Sequence, residues 1–344
     1  MRLVLCGITA YEFWRSSQSI LPPDFTGFLC ANALSSFSDM SCKQISDAIE
    51  RFEGNTSEPL HVLVADSSDR RHAPMVVTHC LPSGVHLPKG SIYQVSDEIS
   101  VVSPGLCFLQ LAQTFNDLQL VRAGCDLTAL FKREFNRNRD LITLNDNLFT
   151  KLDLITYLNS FPSCRGLKRA KELAGYVVER TKSPREESMD LLISMPTKRG
   201  GYQIPGIQAN VIIPLSEGQQ ALAQREHLEC DVVLPNGDLL EYNSSTFHDS
   251  EEDLVFDFEK ISAMQTVGRT VFPISTRQFS DFEAFDLIVS GVLERQNLRR
   301  KQPKPATIES RKKLHASLLK DEVTNRNALS MVDTARWRFI ISRS

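Results

Sequence analysis

The second half of this sequence predicts an α/β fold with elements in the order α-β-β-β-α-β-α. The first half predicts an α+β region before it. Three observations carry this. Ser183-Pro184-Arg185-Glu186 has the chemistry of a helix start, with serine as N-cap, proline at the first helical position and glutamate at the third. Two extended apolar runs, 208–215 and 228–234, precede Pro235-Asn236-Gly237, a turn that feeds a third run at 238–243. Gly268 closes a helical stretch over 250–267 as a C-cap glycine, and an extended run at 269–275 follows it.

In the first half, Thr9 and Glu12 have capping-box spacing and predict a helix carrying Tyr11, Phe13 and Trp14. Residues 50–60 are polar and read as a loop. Three β-rich runs follow, at 61–64, 75–78 and 92–102. Ser103-Pro104 starts a helix whose apolar positions Cys107, Phe108, Leu111, Ala112 and Phe115 recur at helical spacing. Residues 132–147 are polar and charged and read as loop. An amphipathic helix is predicted over 167–180, with Leu167, Ala170, Ala174, Val177 and Val178 as its stripe and Lys168, Arg169 and Lys171 on its solvated side. Ser280-Asp281-Phe282-Glu283 is a capping box that opens a helix to about residue 297. After residue 298 a Lys/Arg-rich stretch with Pro303 and Pro305 reads as a linker before two short helical segments.

A length of 344 residues suits two domains better than one core. The 42% hydrophobic and 24% charged fractions are those of a globular chain, and a net charge of −3 supplies no global positive field. Contact with nucleic acid must therefore come from a local patch. Arg295, Arg299, Arg300, Lys301 and Lys304 form the notable basic run, with a solvated linker as its bland reading. The eight cysteines contain no C-x-x-C pair, which argues against a zinc knuckle or thioredoxin-type site; they read as small core residues of a reducing cytoplasm. The opening apolar run ends at Tyr11-Glu12 without a small-residue cleavage site, too short for a signal peptide, and no stretch reaches the length of a membrane span.

The turn decides where the chemistry falls. Proline before Asn-Gly suits the second position of a type I turn, so the loop has three residues with glycine in the left-handed position. Leu234 then pairs with Asp238, and counting outward puts Asp231 opposite Glu241 with Cβ atoms about 5 Å apart. A slip of one residue would send them to opposite faces. Facing carboxylates repel, and a divalent cation removes that cost; Mg²⁺ takes carboxylate oxygens and keeps waters. A cation so placed activates water and neutralises charge on a phosphodiester. Glu186 is a candidate third ligand, and His248 a candidate for handling a proton or contacting phosphate.

Several pieces together carry a family resemblance. They are Ser183 to Glu186, Gly200-Gly201-Tyr202-Gln203-Ile204-Pro205 with Asn210, Cys230-Asp231, Glu241-Tyr242-Asn243-Ser244 with His248, and Asp257-Phe258-Glu259-Lys260 with Gly268. This combination resembles Vsr-like members of the PD-(D/E)XK nuclease superfamily over about a third of the chain, and implies a restriction-endonuclease-like core. Residues 60–130 more faintly resemble the body of AbiEi-type antitoxin regulators, which in related proteins precedes such a domain. No helix-turn-helix pattern is legible at the start. The superfamily's lysine would fall at Asn243, where the Vsr-like group usually has aspartate, so the chain departs from both patterns; Lys260 on the next helix is the compensating candidate.

Each candidate has a bland reading. Glu186 closes a capping box with Ser183, a role compatible with ligation. Asp231 and Glu241 could be solvent-facing edge charges, but Cys230, Val232, Val233, Leu239 and Leu240 beside them speak for central strands. His248 could be a loop histidine, Asn243 a polar strand end, and Lys260 a solvated residue paired with Asp257 at i+3. The expected division is an AbiEi-like α+β domain at 1–165, a restriction-endonuclease-like domain at 166–300, and a basic linker with a helical extension at 301–344. The expected function is Mg²⁺- or Mn²⁺-dependent hydrolysis of DNA phosphodiesters in the cytoplasm, with Asp231, Glu241, His248 and Lys260 at the chemistry. The alternative is a non-catalytic, defence- or antitoxin-associated DNA-binding regulator with a degenerate nuclease fold and a toxin or defence protein as partner.

Overall fold

In a computed structural model of the chain, the described residues are 3–16, 28–29, 43–44, 47–48, 59–70, 76–81, 86–133, 141–161, 163–223, 225–243, 251–266, 268–298 and 302–330. They form a mixed α/β protein of two compact units, one running to Val177 and including the residues from Asn325, the other Val178–Thr324.

The first unit is built on a mixed six-stranded sheet in the order β2-β5-β6-β1-β3-β4. Its strands are β1 (Leu3–Leu5), β2 (Phe28–Leu29), β3 (Leu60–Val64), β4 (Val76–Cys80), β5 (Ile92–Gln94) and β6 (Ile99–Val102). Leu3, Val4 and Leu5 are all buried because β1 is flanked on both sides, by β6 in parallel and β3 antiparallel. The run 92–102, expected as one strand, is a hairpin. Val95 and Ser96 donate backbone N–H bonds to the Ile99 carbonyl, and Ser96 Oγ accepts from Ile99 N–H, so Ser96-Asp97-Glu98 turns the chain.

Helix α1 (Gly7–Arg15) begins earlier than its expected capping box. Cys6 is the N-cap, the Gly7 N–H is taken by Gln110 Oε1 at 2.9 Å, and Thr9 Oγ1 accepts instead from His61 N–H. Helix α2 (Pro104–Leu111) starts as its Ser103-Pro104 dipeptide dictates, with Ser103 Oγ on the Leu106 N–H. It is followed by α3 (Asp117–Thr128), α4 (Lys151–Ser160) and α5 (Leu167–Ala174). The expected loop at 132–147 contains a small antiparallel pair, β7 (Phe131–Arg133) with β8 (Leu141–Thr143). Helix α5 stops at Gly175, so Val177 and Val178 are buried outside it rather than on its stripe. It belongs to the first unit, not the second, because Leu167, Ala170, Leu173 and Ala174 bury against α2, α3 and α4. Arg169, expected in solvent, binds the carbonyls of Ala112 and Phe115 and pairs with Asp117 at 2.7 Å, closing the C-terminal end of α2.

The second unit contains α6 (Pro184–Ser194), β9 (Gln208–Pro214), α7 (Glu217–Ala223), β10 (His227–Val233), β11 (Leu239–Asn243), α8 (Glu251–Thr266), β12 (Val271–Ser275), α9 (Thr276–Ser280), α10 (Phe282–Arg295) and, as far as Thr324, α11 (Pro305–Ser330). Short helices α7 and α9 are thus added to the expected order. The sheet order is β12-β11-β10-β9, with β11 and β12 parallel and the other pairs antiparallel. Ser275 caps α9, which shifts the cap of α10 to Asp281; its Oδ1 takes the N–H groups of Glu283 and Ala284.

The expected linker and terminal segments are instead one helix over the described residues from Pro305. Its His315 is 4% exposed, bonds the Phe279 carbonyl at 2.7 Å and lies among the rings of Phe279, Phe282 and Phe285. Arg311 stacks over Tyr202, whose hydroxyl donates to Asp286. Gly200 and Gly201 make this contact possible. Gly200 has φ +90 and approaches the Ser310 carbonyl, and any Cβ on Gly201 would fall 2.0 Å from the Met195 carbonyl oxygen. Arg295, expected in a basic run, holds the buried Asp238 through two nitrogens. Residues 299–301 of that run lie outside the described residues.

One buried pair in the first unit makes stability depend on pH. His79 Nε2 lies 2.9 Å from His61 Nδ1 across the parallel strands β4 and β3, and both rings are nearly unexposed. A single proton between the two nitrogens requires at least one neutral ring, and burial favours the pair with both neutral. Burial lowers His61 to about 4; burial and the neighbouring His61 lower His79 to about 3. A depressed pKa means that the unfolded chain binds protons first, so stability present above about pH 6.5 falls as the pH drops. For His61 alone the loss between neutrality and about pH 5 is on the order of 2 kcal/mol. Urea midpoints measured at both pH values should show it, and His61→Gln should flatten the difference; an unchanged pH slope in the variant would remove the pair as its source.

Candidate functional site

The turn between β10 and β11 sets the register of the site. Leu234 N–H bonds the Asp238 carbonyl and Gly237 N–H bonds the Leu234 carbonyl, each at 2.8 Å, and Gly237 has φ +87. The loop is therefore the three residues Pro235, Asn236 and Gly237. Val233 pairs with Leu239 and Val232 with Leu240, and the same count puts Asp231 opposite Glu241. On the other side of β10, Cys230 pairs with Val211 and Val232 with Ala209, which puts Asn210 opposite Asp231. A polar row, Asn210-Asp231-Glu241, thus crosses three adjacent strands.

The two acids tie the strands together with their side chains where the regular ladder stops. Tyr242 N–H donates to Asp231 Oδ2 at 2.7 Å, and Asp231 N–H donates to Glu241 Oε1 at 3.3 Å. Glu241 is 2% exposed. Lys260 reaches it from α8, with Nζ 2.5 Å from Oε2. Lys260 is therefore in the site and not simply solvated; its alternative partner Asp257 has a side chain outside the described ones. Burial pushes the Asp231 carboxyl well above the usual range, and the charges of Glu241 and Glu186 add to this against Lys260 and the Tyr242 N–H. Glu241 is raised by burial, with Lys260 opposing. Burial alone would lower Lys260, but Glu241 and Asp231 outweigh it and hold the ammonium above its ordinary value.

Glu186 stands at the start of α6. Its Oε1 accepts from Ser183 Oγ at 2.9 Å, while Oε2 accepts from Lys182 N–H at 3.0 Å and from Asn210 Nδ2 at 2.9 Å. It thus serves the cap one residue further out than a standard capping box and also anchors the polar row. Asn210 holds φ +48 and is 2% exposed, a strained position for a residue that has a side-chain bond to keep. His248 lies outside the described residues.

One acid was missed. Asp190, a turn after Glu186 on α6, is fully buried, and neither carboxylate oxygen has a hydrogen-bond partner. Its carboxyl is pushed well up by burial, with the charges of Glu186, Asp231 and Glu187 adding to it. The available signal was an aspartate four residues after a candidate ligand, set among Met189, Leu191, Leu192 and Ile193. Among the described residues no three acidic, histidine or cysteine side chains converge closely enough to enclose a metal ion as they stand. Among the described residues no helix is long and apolar enough to cross a membrane.

The chain matches no family model, no curated protein and no solved structure.

The electrostatics give a signed prediction. A carboxyl raised in the folded state stabilises the fold below about pH 4 and withdraws that stability as the pH rises. In chelator, Asp231→Asn should therefore melt at or above wild type near neutrality, and the gap should close as the pH falls toward about 4. Each kcal/mol of relieved repulsion is worth about 2–4 °C for a chain of this size. A variant that melts well below wild type at both pH values would show that the carboxylate is kept for folding.

Proposed function

We propose that the second unit is a restriction-endonuclease-like domain that hydrolyses DNA phosphodiesters with a divalent cation, Mg²⁺ or Mn²⁺. The observation that carries this reading is the facing of Asp231 and Glu241 on central strands with Lys260 against Glu241 and Glu186 within electrostatic reach. The resemblance of these same residues to Vsr-like nucleases points the same way.

The donor chemistry suits a hard cation, although no three such side chains enclose an ion among the described residues as they stand. Asp231 and Glu241 lie beside one ammonium, Lys260, and Asp190 has two buried oxygens without partners. Carboxylate oxygens with excess negative charge are what Mg²⁺ or Mn²⁺ takes. Asp231 and Glu241 would hold the ion, with Glu186 as the third ligand expected from the sequence. When bound, the cation would supply an activated water and neutralise charge on the phosphate. Lys260 then contributes a fixed positive charge beside the same carboxylates, where it can meet the phosphodiester's developing charge. The Asn210 amide and the α6 start hold Glu186 in place.

A second reading is favoured by one specific observation. The Lys260–Glu241 ion pair neutralises one acid without a metal, and Asn243 carries neither the lysine nor the aspartate of the resembling families. On this reading the domain binds DNA as a defence- or antitoxin-associated regulator and does not cut.

Incubating pure protein with supercoiled plasmid and Mg²⁺ or Mn²⁺ separates the two. Nicking or linearisation that chelator stops and that Asp231→Ala abolishes is the expected result. Lys260→Ala should lower the rate by about 10²–10³-fold if its charge acts on the reacting phosphate. Cation at about ten times its dissociation constant should stabilise wild type by about 1.4 kcal/mol, and the Asp231→Asn variant much less. Intact plasmid, with wild type and variant melting identically with and without metal, would leave the regulator.

A further inference from the structure

The first unit carries a cleft built wholly from its own residues. Its volume is about 560 Å³, within the usual range of small-molecule sites. Its walls come from β5 and the turn before it, from the loop before α4, and from α4 itself. Tyr93, Phe149 and Tyr157 supply half-buried rings, and Leu148 stands 47% exposed beside them. A single exposed leucine is ordinary, but next to three half-covered rings it extends an apolar surface against which a flat group can lie.

Two of the rings are held in place. Ser91 Oγ gives its one hydrogen to the Pro88 carbonyl at 2.6 Å, so at 2.7 Å it accepts from the Tyr157 hydroxyl. The Tyr157 ring lies on Gly105 of α2, where any Cβ would fall 2.5 Å from its Cδ1. Tyr93 packs edge-on against Trp14 with centroids 5.5 Å apart, and the Trp14 indole N–H bonds the Val102 carbonyl. A wall so fixed loses little freedom when a ligand settles on it.

The charges at the rim decide the sign of that ligand. Asp153 and Lys89 are both exposed there. Asp153 Oδ2 accepts from the Thr150 N–H and hydroxyl, and the residue sits in the first turn of α4, where the positive end of the helix offsets its charge. Lys89 has no such compensation. It lies in a turn, before Gly90 with φ +81, and among the described residues its ammonium makes no hydrogen bond or ion pair. The rim thus presents an uncompensated positive charge beside an aromatic wall.

We propose that this cleft binds a planar aromatic anion, whose ring packs against Tyr93, Phe149 and Tyr157 and whose carboxylate or phosphate meets Lys89. This binding is independent of any chemistry in the second unit.

The test is calorimetric titration of the full chain with naphthoate, adenosine monophosphate, neutral naphthylmethanol and cationic naphthylmethylammonium. Wild type should bind naphthoate about tenfold more tightly than the alcohol, with the ammonium weakest. Adenosine monophosphate bound more tightly still supports a phosphate-bearing base as the occupant, and bound more weakly a compact aromatic acid. Lys89→Ala should weaken naphthoate about tenfold, leave the alcohol unchanged and melt with wild type, since the side chain makes no bond to lose. Phe149→Ala should weaken both about fivefold or more. Lys89→Glu, at the same exposed position, should reverse the preference toward the ammonium, and it keeps the test decisive if Phe149→Ala fails to fold. Naphthoate bound no better than the alcohol, Lys89→Ala binding naphthoate as wild type does, a folded Phe149→Ala that binds both probes unchanged, or no binding of any probe overturns the assignment.

Discussion

The second unit is organised around the burial of like charge in the middle of a sheet. Asp231, half-buried, and Glu241, buried, face each other across β10 and β11 among the apolar neighbours Cys230, Val232 and Leu240. A slip would carry Cys230, Val232, Leu240 and Tyr242 to the wrong faces along with the acids. The fold therefore meets the repulsion locally. Tyr242 N–H and Lys260 Nζ are set against the carboxylates, and Asn210 takes a strained backbone conformation to donate to Glu186. Each device reduces the charge problem without removing it, since Asp231 and Glu241 face a single ammonium among the described residues. Sheets that need only stability fill such positions with valine or leucine, and buried ion pairs are weak sources of stability compared with apolar packing.

The first unit shows the contrast. Several of its buried polar groups pair with one another in neutral or compensated sets. His61 and His79 share one proton position and stay uncharged. Lys132 gives its ammonium to the Trp14 carbonyl at 2.6 Å; burial lowers it to about 8, with Asp126 opposing. The Tyr11 hydroxyl in turn donates to Asp126. These arrangements stabilise one packing. Their pH response is also opposite in sign: acid weakens the first unit through its histidines, while rising pH weakens the second through its raised carboxyls.

What was legible in the sequence was what a few consecutive residues decide. Pro235-Asn236-Gly237 sets a three-residue loop, and from that alone the register that brings Asp231 to Glu241 can be counted. Ser103-Pro104, Ser183-Pro184 and Gly268 place helix ends by cap chemistry. Where a cap was misplaced, a distant group had taken over: Gln110 satisfies Gly7, and Thr9 is engaged by His61. The rest depends on contacts between elements. Arg169 and Arg295 look like solvated charges until the carbonyls of α2 and the carboxylate of Asp238 are brought to them. Asp190 looks like a polar interruption in a helix until its complete burial is seen. The split of 92–102 into two strands was readable, because Ser96-Asp97-Glu98 is turn chemistry inside a β-rich run.

Lys260 reaches Glu241 by a route different from the one the resembling families' pattern implies. A lysine at 243 would project from β11 two residues after Glu241, on the same face of the strand. Asn243 sits there at the strand's end, paired with Ser275, its carbonyl accepting from Thr276. The ammonium comes instead from Lys260, from a helix that packs on the parallel strand β12. What the carboxylates sense is charge and distance, and 2.5 Å from Glu241 Oε2 is contact by either route. The exchange also frees β11 from carrying a long charged side chain at its edge, while the helix stem of Lys260 passes through partly buried surroundings that hold the ammonium in one place. Substitutions that look like decay of a motif along the strand are therefore compatible with a preserved arrangement in space. The helix, not the strand, is where this chain's departure from the resembling families must be judged.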